Sequence, residues 1–288
     1  MIADAPLPAA TPRVAILAHV FYRNIWPELK DCIHNFISVC GADNVKVVIT
    51  SPDGEPAAFL QSEMPFASVI PVPDRGYDVG PFFEALASID LSAFDFVVKL
   101  HTKRNMDRFW MNYRPYKGDE WRRSLLSFCS SEKAVATSLR GFARDPTLGM
   151  VAGRGVTDPS GVASGRYDFT EAYALMRRFG LTPSGTTLVF GTMFMVRAKI
   201  LEPVAGKLRI NDFDLVNEKT VHKVYGNAGL WEFAFALLTT SQGYRVARGR
   251  FPAMLSRFWN RWRVFVYRTI RFLSDKRRAI LSGPVRPD

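Results

Sequence analysis

The residues able to do chemistry gather in three short stretches. In VVKLHTKRN (97–105), Lys99, His101, Lys103 and Arg104 crowd the end of a β-rich apolar run. Cations and a histidine at a strand's carboxyl end suit an anionic, phosphate-bearing ligand, because charge-assisted hydrogen bonds to phosphate are the strong ones. The bland alternative is a solvated basic turn with a structural histidine. The second stretch is DRGYDVGPF (74–82), a polar loop between a strand and a helix. Asp78 stands where a helix N-cap belongs, so the stretch reads either as a capped turn or as a ligand loop. The third is Glu232, a lone acid in the apolar helix start GLWEFAFALL. It either caps that helix or faces a cleft as a general base, its pKa raised by partial burial.

Other chemistries lack their residues. The Gly-rich loop matches neither GxGxxG nor GxxxxGK[ST], so dinucleotide and P-loop fingerprints do not apply. There is no Ser-His-Asp order, no HExxH and no CxxC, which removes the hydrolase-triad and zinc readings.

The elements that must position these residues alternate at short intervals. Apolar runs at VAILAHVF (14–21), VKVVIT (45–50), FASVIPV (66–72) and FDFVVKL (94–100) read as strands. Between them lie helical patterns, of which Ile25, Leu29, Ile33, Phe36, Ile37 and Cys40 are the clearest. Such alternation predicts βαβ units on a parallel sheet. Each strand then delivers its following loop to one cleft at the carboxyl edge. From 101 to 185 the pattern is irregular, with helices expected after WRRS, at SLRGF and at EAYALMRRFG, and a strand at LGMVAG. TTLVFGTMFMVR (186–197) reads as two short strands bent at Gly191, and LWEFAFALLTTSQGYRVAR as a helix ending at Gly243, then a strand.

The chain has 288 residues, 48% of them hydrophobic and 23% charged, which excludes wholesale disorder. No uninterrupted apolar stretch approaches the ~18 residues of a membrane span. The amino-terminal residues lack a basic region followed by an apolar run, so no secretory signal is expected. Three cysteines, Cys32, Cys40 and Cys129, have no metal-like spacing and fit a reduced, cytoplasmic setting. The net charge of +11 is uneven, because residues 255–288 carry nine Lys/Arg and two Asp. We expect a disordered Ala/Pro-rich start (1–12), one α/β domain (13–254), and a basic amphipathic helix and tail (255–288).

AHVFY (18–22), DRGYDVGPF, FDFVVKLHTKR (94–104), WRRSLL (121–126), LGMV (148–151) and FGTMFMVR (190–197) together resemble the rhamnan synthesis protein F family of bacterial polysaccharide assembly. More remotely, the same string resembles family 2 glycosyltransferases of the GT-A fold. The resemblance implies a GT-A-like, Rossmann-type, mostly parallel sheet flanked by helices. It implies donor-binding loops at His19 to Tyr22, at Thr50, Ser51 and Asp53, and at Arg75 to Gly80 with Asp78. It implies Glu232 as the base, eleven residues before Gly243-Tyr244. Two departures stand out. The Asp-x-Asp metal motif is replaced by Leu100-His101-Thr102-Lys103, and Phe233 occupies the place of a second acid. No metal ligand is therefore assigned, and a divalent cation (Mg²⁺ or Mn²⁺) stays open. Lys99, Lys103 and His101 are the candidates to neutralise a donor diphosphate in its place.

The implied activity is transfer of a sugar from a nucleotide donor, a dTDP-L-rhamnose-like one by family, to a lipid-linked glycan or surface polysaccharide. The rival is a catalytically silent glycan-binding or scaffold member. In residues 255–281 an apolar stripe of Leu255, Phe258, Trp259, Trp262, Phe265, Val266, Ile270 and Leu273 faces away from most of the arginines. Tryptophan beside arginine suits an anionic membrane surface, hence a peripheral place on the inner face of the plasma membrane. A core-packed helix is the alternative. Nucleic acid is not expected, since no recognition motif accompanies the charge.

Overall fold

The computed structural model describes residues 11–111, 114–158, 168–216 and 227–247. The sheet is built outward from β1 (Val14–His19), whose six residues are all buried. A strand covered on both faces reads as a continuous apolar run rather than an alternating one. It pairs in parallel with β2 (Val45–Ser51) on one side and β4 (Phe96–His101) on the other. The registers end on His19↔Thr50 and His19↔His101, so three polar residues finish in one row at the carboxyl edge. Strand β3 (Ser68–Pro71) adds in parallel to β2.

Between these strands run α1 (Trp26–Cys40), α2 (Glu55–Glu63) and α3 (Val79–Leu86). Helix α1 buries Trp26, Leu29, Cys32, Ile33, Phe36 and Cys40 and ends at Gly41; of the expected stripe, Leu29, Ile33, Phe36 and Cys40 are buried in it, Ile37 is half-buried, and Ile25 is buried just before it. Helix α3 buries seven of its eight residues, Glu84 being the exception. Gly80 in its first turn has no substitute, because a β-carbon there would lie 2.5 Å from the Arg75 carbonyl oxygen.

The second half differs from the expected pattern in two ways. Strand β5 (Met106–Met111) pairs antiparallel with β6 (Arg114–Gly118), where only irregular chain was expected. Then α4 (Glu120–Leu126) and α5 (Glu132–Arg144) lead to β7 (Leu148–Ala152) and β8 (Thr157–Asp158). The Ser131 hydroxyl caps α5 by accepting from Ala134 N at 3.2 Å. After α6 (Thr170–Arg178), β9 (Leu188–Val189) and β10 (Phe194–Arg197) are separated at Gly191 as expected, yet they serve different sheets. Strand β9 pairs with β8, whereas β10 enters the main sheet antiparallel between β4 and β7. Finally α7 (Asn227–Thr240) leads to β11 (Arg245–Val246), parallel to β7.

The seven-stranded order is β11-β7-β10-β4-β1-β2-β3, mixed α/β and mostly parallel as expected. An aromatic cluster joins its halves: Phe83 meets Trp231 at 4.6 Å between ring centroids, and Phe82 meets Phe235 at 5.4 Å. The cysteines are free and buried. No helix of the described residues is long and apolar enough to cross a membrane. Residues 1–10 and the amphipathic segment 255–281 lie outside the described residues, and Thr11 and Pro12 precede β1 without regular structure.

Candidate functional site

The parallel register brings the loops after β1, β2 and β4 together, and hydrogen bonds stitch them. Thr102 Oγ1 accepts from Phe21 N (2.9 Å) and Tyr22 N (3.0 Å), while Thr102 N donates to the His19 carbonyl (3.0 Å). His19 Nδ1 and Thr50 Oγ1 share a 3.1 Å hydrogen bond. Tyr22 packs half-buried against the core. Asp53 is exposed in the turn after β2, accepting from Gly54 N at 2.7 Å.

Under this rim lies a buried polar knot. Lys99 is 1% exposed. Its ammonium donates to Asp78 Oδ2 and, at 3.0 Å, to Thr192 Oγ1. The Thr192 hydroxyl in turn donates to Asp78 Oδ2. His101 Nδ1 lies 3.5 Å from the same oxygen. That is too long for a hydrogen bond, and both ring nitrogens are buried without a partner. The sequence left Asp78 as a donor-loop residue or, in the bland reading, an N-cap. It occupies that position with helical backbone (φ −91°), but its side chain caps nothing and turns to Lys99 instead. A buried ammonium without a counter-charge would be far costlier than an uncapped amide at a helix start.

Backbone conformation reinforces the knot. Gly76 and Tyr77 (φ 63° and 53°) and Gly191 and Thr192 (φ 72° and 50°) are all left-handed. For a β-branched threonine this is a true outlier, costing ~1–3 kcal/mol unless the surroundings hold it. Here Asp78 and Lys99 hold it. Thr192 carried no chemical signal in the sequence beyond its place after Gly191. Arg75, expected at the donor, instead tethers its loop: its guanidinium donates to the Phe213 carbonyl at 3.0 Å, and Gly76 N donates to the Asp214 carbonyl at 2.9 Å.

Glu232 lies in the second turn of α7, which begins at Asn227. It is past the free amides of the helix start, so the capping reading fails. Burial raises its pKa, with Lys103 and Lys99 pulling it back and Asp78 adding to the rise. Asp78, Lys99, Lys103 and Glu232 thus feel one another's charge. Burial also pushes the Asp78 carboxyl up, but His101, Lys99 and Lys103 outweigh it and hold it well below the carboxylate range. Burial lowers Lys99 against the pull of Asp78. Burial likewise lowers His19 to about 4 and takes His101 well below the usual imidazole value. Both histidines are therefore neutral at pH 7, and the lysines supply the positive field. Lys103 is half-exposed on the β4 loop, and its ammonium makes no hydrogen bond or ion pair among the described residues.

Sequence reasoning also missed the support of that loop. Arg122 on α4 chelates Glu28 of α1 and donates to the Lys103 carbonyl at 3.0 Å. Its only signal was its place within WRRSLL.

A divalent cation of the Asp-x-Asp kind does not fit these residues. β4 runs out in His101-Thr102-Lys103, Asp78 is committed to Lys99 and Thr192, and no group of three metal-ligating side chains forms among the described residues. The knot can stabilise an anion through Lys103 above neutral imidazoles. It also holds a carboxyl more basic than an ordinary glutamate near that anion.

The chain is 25% identical over 210 residues to the uncharacterised protein WxcX of two Xanthomonas campestris pv. campestris strains, covering 70% of this chain. It spans 28% of the length of those curated relatives. Among solved structures, it is similar to mannosyltransferase PcManGT from Pyrobaculum calidifontis in complex with GDP-Man and Mn²⁺. That likeness has 18% identity and a TM-score of 0.40, covering 85% of this chain and 56% of the other. It is also similar to glucosyl-3-phosphoglycerate synthase from Mycobacterium tuberculosis, with 11% identity and a TM-score of 0.30, covering 81% of each chain. A family model described as rhamnan synthesis protein F matches residues 5–228, and the chain belongs to that family.

Proposed function

We propose that the chain is a GT-A-type glycosyltransferase that moves a sugar from a nucleotide donor to a polysaccharide hydroxyl. The carrying observation is the carboxyl edge itself, where Lys103, without an ion-pair partner among the described residues, shares one electrostatic field with Glu232, whose pKa burial raises. Family membership supports a role in polysaccharide synthesis and makes rhamnose the sugar to test first.

In this reading His19, Tyr22, Thr50 and Asp53 line the donor, and Lys103 meets its diphosphate. Lys99 and Asp78 act through the field and by holding Thr192 in place, and Arg75 holds their loop. The bond between the anomeric carbon and the diphosphate oxygen breaks as the acceptor oxygen bonds to that carbon. Negative charge grows on the leaving oxygen, where a cation already in position is worth most. Glu232 takes the proton of the acceptor hydroxyl. Neutral His101, whose ring nitrogens have no hydrogen-bond partner among the described residues, is the candidate to turn an N–H toward the leaving diphosphate. No step is routed through a metal ion, because the described residues at this edge do not fit a cation of the Asp-x-Asp kind.

The second reading is a silent glycan-binding or scaffold member, favoured by the lost Asp-x-Asp. Thermal shift with a panel of nucleotide sugars, with and without Mn²⁺, followed by turnover of any binder, separates the two. A ligand that binds only the folded state raises its apparent stability. Binding with turnover upholds the transferase, and binding of glycans without nucleotide sugars upholds the scaffold. The Trp/Arg pattern of the sequence over 255–281 supports a reaction at the inner face of the plasma membrane, with a lipid-linked acceptor. Sedimentation with phosphatidylglycerol vesicles that persists after removal of 255–288 would overturn that placement.

A further inference from the structure

Arg122 is 5% exposed, yet no residue of the cleft is near it in sequence. Its guanidinium is satisfied on two sides. Nε and Nη2 donate to the two carboxylate oxygens of Glu28 at 2.7 and 2.5 Å. Nη1 donates to the Lys103 carbonyl at 3.0 Å and to Asn105 Oδ1 at 2.6 Å. A buried guanidinium is tolerated only when its charge is paired and its N–H groups are engaged. Half of that engagement is spent on the loop that presents Lys103.

We propose that Arg122, anchored by Glu28, is a positioning residue that holds the Lys103–Asn105 segment and so sets how tightly this cleft grips a diphosphate. The diphosphate part rests on the donor reading above; the restraint of the loop does not. Lysine cannot substitute, because one ammonium on a flexible stem cannot serve a carboxylate and two loop acceptors in the fork geometry of arginine. A purely structural Arg122 would affect melting without touching the loop.

The test uses the full chain as wild type, Arg122→Lys and Asn105→Ala, the last leaving the Glu28 pair intact. Three quantities are measured on each: melting temperature, backbone order parameters at Lys103–Asn105, and calorimetric affinity for inorganic pyrophosphate. In Arg122→Lys the order parameters should fall from the rigid range of about 0.85 toward 0.6 or below. Pyrophosphate affinity should weaken roughly tenfold or more, as expected for lost charge-assisted hydrogen bonds. Asn105→Ala should move both in the same direction by a smaller factor at unchanged melting temperature, and it decides the matter if Arg122→Lys fails to fold. Unchanged loop order in the folded variants overturns the proposal, whatever the melting temperature does. If wild type binds no pyrophosphate, the diphosphate half falls with the donor reading, and the order parameters alone uphold or overturn the clamp.

Discussion

Replacing Lys99 by methionine isolates the buried knot. Methionine keeps the length and apolar stem of lysine but removes the ammonium that Asp78 and Thr192 face. Removing one partner of a buried ion pair costs ~3–5 kcal/mol, since the other charge is left uncompensated. Asp78 keeps 21% of its side chain exposed and retains Thr192 as a donor, which argues for the lower end, about 3 kcal/mol. For a chain of this size that corresponds to a fall in Tm of roughly 6–12 °C. Adding Asp78→Asn removes the stranded charge, so the double variant should recover at least ~1 kcal/mol over Lys99→Met. The pH dependence carries a sign. The folded pKa of Asp78 lies below its unfolded value, so the pair's contribution is complete above ~pH 4 and fades as pH falls below that. Without Lys99, burial is opposed by His101 and Lys103 alone, the Asp78 pKa rises relative to wild type, and the deficit of the variant should narrow on acidification. Urea unfolding at pH 7 and again near pH 4 measures both. A Lys99→Met protein within ~0.5 kcal/mol of wild type, or a deficit that grows at low pH, would refute the pairing.

Glu232→Gln should lower sugar transfer ~10²–10⁴-fold with unchanged donor affinity and Tm; since Glu232 lies beyond the helix cap, a fall in Tm with wild-type turnover in the folded fraction would contradict its role as base. Lys103→Ala should weaken nucleoside diphosphate binding by ~1.5–3 kcal/mol in calorimetry at unaltered stability, and unchanged affinity would remove Lys103 from the donor site. His19 is held at about 4, below the ordinary imidazole value, so the unfolded chain binds its proton first as pH falls from ~6.5. The stability it contributes should therefore be complete above ~pH 6.5 and decline by about 3 kcal/mol on reaching pH 4. A His19→Asn protein with the same pH slope as wild type would show that His19 does not titrate this way.

Much of this architecture is legible in one dimension. Four apolar runs, each followed by a polar loop, dictate parallel strands that deliver their loops to one edge, the central β1 and β4 being buried along their whole length. The row His19, Thr50 and His101 follows directly once those strands are parallel and in register. The helix stripe of α1 and the bend at Gly191 are local features too, set by spacing and by a residue free to adopt positive φ.

The roles of the charged residues were decided elsewhere. Asp78, a donor-loop residue or an N-cap by sequence, became the partner of a lysine 21 positions on and of a threonine 114 positions on. That pairing required β10 to enter antiparallel beside β4, and strand direction leaves no trace in the pattern of apolar residues. Of the two roles the sequence left open for Glu232, the cap is removed because α7 starts at Asn227, upstream of the apolar run that announces it. Arg122 reached the Lys103 loop through a strand pair that hydrophobic spacing did not reveal. The sequence by itself determined which segments are strands, where their loops gather and which residue types reach that edge, because burial and backbone preference act over a few residues. Tertiary structure alone decided which charges neutralise one another and which remain available to a ligand. Coulombic pairing in a buried site depends on separations in space that the chain reaches only after its distant segments have packed.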